Sequence, residues 1–259
     1  MALPPLPIDL PTVRKLTTEQ WKAVLEAPPE DAFRWMHSAA QLGHAGAQAL
    51  MGQWLLDGRG TARHPQQAFD WFLKAAGQGD DIGANMAGRC LENGWGIAPD
   101  LAAAIGWYRK AADKGLDAGL YNLANQLASG AGLPQDHSQA LALYTRAAAL
   151  GHAKSMTKAG RYHDEGLSVP RDAARAAELY RCGAEGGDFR GQYQYARVLA
   201  ERGEAGLALQ WLEKVPLTAT AGFLEEVGAL LAGSADARFA LLGGQMLARA
   251  GELRTGVAA

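Results

Sequence analysis

Cysteine is scarce in this chain. Its two copies, Cys90 and Cys182, stand far apart and show no metal-type spacing. That excludes a disulfide framework and cysteine-based zinc sites, and fits reduced thiols in a cytosolic protein. Nor is there a run of 18 uninterrupted apolar residues. The opening MALPPLPIDLPTVRKL has neither a basic start nor an apolar centre, so no signal peptide and no membrane span are expected, and cytoplasm is the default. The net charge of −2 lacks the broad basic field of non-specific nucleic-acid binders, so neither nucleic acid nor membrane is an expected partner. Catalytic templates are missing too. H-E-x-x-H, a cysteine pair and a G-x-S-x-G elbow do not occur, and no cofactor is expected.

Alanine and glycine are abundant, with 32 glycines, while β-branched residues are few. That mixture favours short helices stopped by glycine. Much of it is periodic. Gly58, Gly94, Gly130 and Gly166 recur every 36 residues, as do Ala68, Ala104, Ala140 and Ala176. Trp71-Phe72 returns as Trp107-Tyr108, Leu143-Tyr144 and Leu179-Tyr180. Columns in common phase mean a real repeat. Four complete units cover 45–188. A half unit precedes them within 17–44, whose Thr17–Ala27 reads as a capping helix with Trp21, Val24 and Leu25 inward. A fifth unit, 189–216, has lost four residues from its loop, and 217–259 reads as two capping helices, roughly 219–231 and 235–250. Residues 1–16 form a Pro-rich arm expected to be extended.

Each unit reads as a helical hairpin. The first helix stops at a glycine suited to the left-handed conformation. The second starts at Asp100, Asp136 or Asp172, where a carboxylate caps free N–H groups. In the first unit His64 takes that place, Pro65 suits the first helical position, and Gln67 lies at capping-box distance. The glycine-spaced loop GWGIAPD, which resembles a phosphate cradle, is therefore a hairpin connection. Asp100 would repel a phosphate from the helix end where phosphates bind.

The segments AQALMGQWLLDGRG, GWGIAPD and AAAIGWYRKAADKG closely resemble the Sel1-like repeat, a relative of the tetratricopeptide repeat. The resemblance covers about 32–215. It departs where Leu55, Leu91, Leu127 and His163 replace the first-helix tyrosine. It implies an all-α fold, a right-handed α/α superhelical solenoid with atypical terminal capping helices. It also implies a scaffold whose first helices line a concave face that holds proteins or peptides.

Along those first helices a polar column recurs in phase: Gln53, Arg89, Asn125, Arg161 and Arg197. Three positions earlier stand Leu50, Met86, Asn122, Lys158 and Gln194, on the same face. Arg89, Tyr121, Asn122, Asn125, Lys158, Arg161, Tyr193 and Arg197 are the candidate partner-binding residues. Such a cluster suits a carboxylate-bearing segment. A plain solvated face is the competing reading.

The alternative is a small-ligand or metal-binding accessory protein, with His163, Asp164 and Glu165 as its best residues. An iron-uptake link is suggested only by short relatives encoded beside such genes. Adjacent helix positions do not share a face, which argues against that triad. His44 and His152, at one repeat position, read as turn residues. The apolar tail around FALLGGQMLARAGE leaves two states open, a monomer or a homodimer through the C-terminal helices.

Overall fold

The structure is a computed structural model that describes residues 8–256. Among the described residues it is helical without strands, and it divides into two compact units at Asp136/His137. The first holds α1 (Leu10–Arg14), α2 (Thr18–Glu26), α3 (Pro29–Gln41), α4 (Ala45–Asp57), α5 (Pro65–Gly77), α6 (Asp81–Asn93), α7 (Leu101–Asp113) and α8 (Asp117–Ser129). The second holds α9 (His137–Ala149), α10 (Ala153–Glu165), α11 (Ala173–Glu185), α12 (Phe189–Glu201), α13 (Ala205–Leu212), α14 (Ala221–Ala232) and α15 (Ala237–Thr255). Within each unit most successive helices pack on one another, and alternate first helices touch as well, α4 with α6 and α10 with α12. This is the consecutive helix-pair packing of an α/α solenoid.

Capping explains the punctuation. Gly58, Gly94, Gly130 and Gly166 end the first helices at φ values of 77°, 72°, 72° and 71°. Asp100 and Asp172 accept the N–H of Ala103 and Arg175 at 2.9 and 2.8 Å. At the start of the first helices a second capping column appears. Asp80 and Asp188 accept from Gly83 and Gly191, while His44 and His152 do the same work through Nδ1 toward Ala47 and Ser155. An imidazole caps a helix this way only when the accepting nitrogen carries no proton. Burial holds the His44 pKa below its usual value, which favours that form.

Two residues later, each connection turns left-handed again. Gly60, Gly96 and Gly132 lie at φ 71°, 75° and 73°, but the fourth unit places Ser168 there at 60°. A side chain in that region is strained, so Ser168→Gly is expected to stabilise the second unit by about 0.5–1 kcal/mol. A urea midpoint that does not rise would contradict this. The connection also lies against the preceding second helix. A Cβ at Gly60 would sit 2.2 Å from the Pro29 carbonyl oxygen, and one at Gly96 would sit 2.3 Å from the Gln66 nitrogen. Only a bare backbone fits there.

The core is built from the aromatic column of the second helices. Phe72 and Tyr108 are fully buried in the first unit, Tyr144 and Tyr180 almost so in the second. Phe72, Tyr108 and Tyr180 each press on a first-helix glycine, Gly52, Gly88 and Gly160. The tryptophan beside that column depends on what covers it. Trp35 is buried because Trp21 of α2 meets it edge-on at 5.7 Å. Trp71 and Trp107 are half-buried, and Lys74 and Lys110 lie over their rings at 4.0 and 3.9 Å.

Several expectations need correction. Part of the Pro-rich arm, residues 1–7, lies outside the described residues. The rest is not extended: Asp9 accepts from Thr12, and Pro11 sits in the first turn of α1, where a missing N–H costs nothing. Leu25 is exposed, whereas Val24 is buried and Trp21 packs on Trp35. Gln67 forms no capping box, and His64 makes no side-chain cap, so Pro65 alone starts α5. The last two helices begin about two residues later than read, α15 behind an Asp236 cap that accepts from Arg238.

Candidate functional site

The eight candidate residues fall in both units. In the first, Arg89 is half-buried and turned inward along its own hairpin, with Nη1 3.5 Å from the Met86 sulfur and its guanidinium 4.9 Å from the Trp95 ring centre. Asn122 donates to Asn85 at 2.8 Å, which joins α8 to α6. Tyr121 and Asn125 are half-buried on α8. Of these four, Asn122 ties one first helix to the next, and Arg89 is turned onto its own hairpin.

The second unit brings three candidates together. Arg161, Tyr193 and Arg197 line a shallow cleft of about 370 Å³ with Asp164, Arg171 and Tyr180. Helix periodicity puts Arg161 and Asp164 on one face of α10, and Tyr193 and Arg197 on the matching face of α12. Arg171 comes from the connection that follows α10. Asp164 is the hub. It accepts from Arg197 Nη2 at 2.5 Å and from the Tyr180 hydroxyl at 3.3 Å, with Arg171 at 3.6 Å. Burial, with Asp164 alongside, pushes the Tyr180 phenol well above its usual pKa, so it stays a hydrogen-bond donor.

The arginines differ in freedom. Arg197 also donates to Gln194 at 2.9 Å and to Glu201 at 2.7 Å, which fixes it as a wall of the cleft. Arg161 and Arg171 hold loose, long ion pairs at 3.7 and 3.6 Å, and their side chains are 46% and 72% exposed. Loose exposed pairs contribute little to stability, so both guanidinium groups keep donors to offer. Lys158, one turn before Arg161, is half-buried. Burial lowers its pKa, and the nearby Arg161 and Arg190 lower it further, while Asp188 and Glu165 act in the opposite direction.

Sequence reasoning missed the roles of Arg171, Tyr180 and the hub. A signal existed. Glu92 and Asp164 stand 72 residues apart in the same phase, each followed 16 residues later by a core tyrosine, Tyr108 or Tyr180. In the first unit Tyr108 donates to Glu92 at 2.5 Å, and Gln126 adds a 2.6 Å bond. The same lock thus appears twice, closed by a glutamine in one unit and an arginine in the other.

The metal alternative finds no support in this geometry. Among the described residues no three His, Cys, Asp or Glu side chains gather in a way that could hold an ion. Asp164 is committed to its arginines and tyrosine, and His163 is half-buried beside the core residue Tyr162. Among the described residues no helix is long and apolar enough to cross a membrane. His137, the first residue of α9, meets the Tyr162 hydroxyl at 3.0 Å and is only part-exposed.

Comparison with known proteins follows this geometry. No curated protein matches the chain significantly. A Sel1 repeat protein from Oxalobacter formigenes is similar over 90% of this chain and all of its own length, at 24% identity and a TM-score of 0.76. A protective antigen of uropathogenic Escherichia coli is 26% identical over 93% of this chain, with a TM-score of 0.66. This chain spans only 54% of that protein. An immunity protein of Pseudomonas aeruginosa shares the fold at 15% identity and a TM-score of 0.57, over 82% of this chain and 81% of its own. The family model named Sel1 repeat matches residues 29–44, 45–80, 82–116, 117–152 and 153–188. The chain belongs to the Sel1 repeat family.

Proposed function

We propose that this protein is a non-enzymatic cytoplasmic scaffold that holds a protein or peptide segment against its first helices, with the cleft of the second unit as the main contact. Sel1 repeat proteins are typically protein-interaction scaffolds, which supports the class. The observation that carries the site is the contrast between its arginines. Arg197 is locked by Asp164, Glu201 and Gln194, whereas Arg161 and Arg171 keep loose ion pairs at the rim. A carboxylate on the partner segment replaces those weak pairs with charge-assisted bonds, and the Tyr193 ring offers it an apolar floor. Arg89 and Asn122 then belong to the supporting framework more than to the grip.

The test is affinity purification from the native cell with wild-type protein and with an Arg161→Glu/Arg171→Glu variant. Both positions are surface arginines, so the thermal melt should not move. Recovery of the partner is expected to fall about tenfold or more in the variant, as expected when several charged contacts reverse sign. Equal recovery by both proteins, or no protein partner at all, would sink this reading.

A further inference from the structure

Helix α15 carries an anomaly on its outer side. Its buried residues Leu242, Gly243, Met246 and Ala250 define the face packed on α14 and the rest of the unit. The line opposite, where a surface helix ordinarily carries charge, reads Ala237, Leu241, Gly244, Ala248, Gly251 and Thr255. All six residues are exposed and uncharged, and Leu241 is 67% exposed. Their spacing alternates four and three along the whole helix, a run of about 27 Å. That is the seam of a helix pair with one helix missing.

We propose that a second copy of this chain supplies the missing helix, with α15 packed antiparallel on α15 about a two-fold axis. The sequence fits its own image in that arrangement. With the axis level with residue 246, Leu241 lies over Gly251 of the second copy and Ala248 over Gly244 of the second copy. Each larger side chain meets a glycine, so the backbones approach closely. The flanks agree. In an antiparallel pair each flank faces its own counterpart. Arg238, which also holds Asp236 of its own chain at 2.7 Å, therefore faces Glu252 of the second copy, which its own Arg249 holds at 2.8 Å, and the symmetric contact repeats it. Gln245 meets its own image on the axis, and so does the part-exposed Leu247 on the other flank. Opposite charges face each other and no like charges do.

The alternatives fit less well. Arg238, Arg249, Glu252 and Arg254 interrupt the helix, and it does not meet the demands of a membrane span. A solvent-facing cap would carry polar residues on the outer line. One helix pair of this length lies at the small end of specific interfaces, so a reversible dimer is expected and not an obligate one.

Sedimentation equilibrium tests this from about 1 µM to about 500 µM, the span in which a small interface dissociates. The wild-type mass is expected to rise from 27.4 kDa toward twice that value. Gly244→Arg places its side chain in open space in the monomer, so folding should be kept while the mass stays monomeric. Arg238→Glu or Glu252→Arg alone should weaken association about tenfold, and the double reversal should restore it, because each pair occurs twice. A wild-type chain that stays monomeric, or a dimer indifferent to Gly244→Arg, overturns the proposal. A double reversal as weak as the single ones overturns the antiparallel register.

Discussion

Replacing Tyr108 by alanine is expected to cost the first unit about 4 kcal/mol, the range for emptying a buried aromatic site. The ring is fully buried between α6 and α7, and its edge lies where a Cβ on Gly88 would come within 2.7 Å. No neighbour can collapse into the space, because the column around it is already Ala104, Ala111 and Ala87. Tyr108→Phe separates ring from hydroxyl. It keeps the packing and removes only the donor to Glu92, which still accepts from Gln126. That loss should be about 1 kcal/mol, the ordinary size of one hydrogen bond. The first repeat supplies an internal comparison. Phe72 fills the same position, and Leu56 stands where Glu92 does, so the ring packs there without the lock. Urea unfolding of the two variants checks both numbers. If alanine costs no more than phenylalanine, the aromatic column does not hold the hairpins together.

Two adjacent glycines in α15 should respond in opposite directions. Gly243→Ala is expected to destabilise the C-terminal hairpin by about 3 kcal/mol, because overpacking against backbone leaves nothing flexible to yield. An added Cβ would stand 2.4 Å from the Ala232 nitrogen and 2.7 Å from the Gly228 carbonyl oxygen. Helices α14 and α15 cross there with no side chain between them, so they would have to separate. The Phe189, Leu224 and Met246 cluster beneath would open with them. Gly244→Ala, one residue on, meets nothing within 4 Å. It should stabilise the helix by about 0.5–1 kcal/mol, the propensity difference between glycine and alanine. Thermal melts of the two variants that shift in the same direction would disprove this account of the crossing.

The repeat, its phase and its glycine stops were legible because each rests on local geometry that recurs at a fixed interval. The aspartate caps at 100 and 172 were legible for the same reason. The histidine caps were not. His44 and His152 share a position with Asp80 and Asp188, but an imidazole is read as a cap only once its Nδ1 is seen on the backbone. In the candidate site, the phase of Arg161 and Arg197 was visible, while their different duties were not. Those duties depend on pairings across 33 residues, Arg197 to Asp164, and on Arg171 in a connection that the helix-face argument did not cover. Periodicity tells which residues share a face and says nothing about which of them are already engaged. The helix at Leu10–Arg14, expected as part of an extended arm, has a similar cause. Asp9 before Leu10-Pro11 is a helix start, and the proline richness of the preceding residues obscured it.

The connections that press bare backbone onto the preceding helix at Gly60 and Gly96 bear on how the first unit recognises anything. Contacts of that kind leave no cushion of movable side chains, so neighbouring hairpins cannot tilt without breaking steric contact between main chains. The surface offered by α4, α6 and α8 then behaves as a template of fixed spacing. Under the proposed scaffold function, a segment laid along it would do the conforming, and the ordering entropy of binding would fall on the visitor and not on the host. Under that proposal, a short, flexible segment suits such a host better than a second rigid domain.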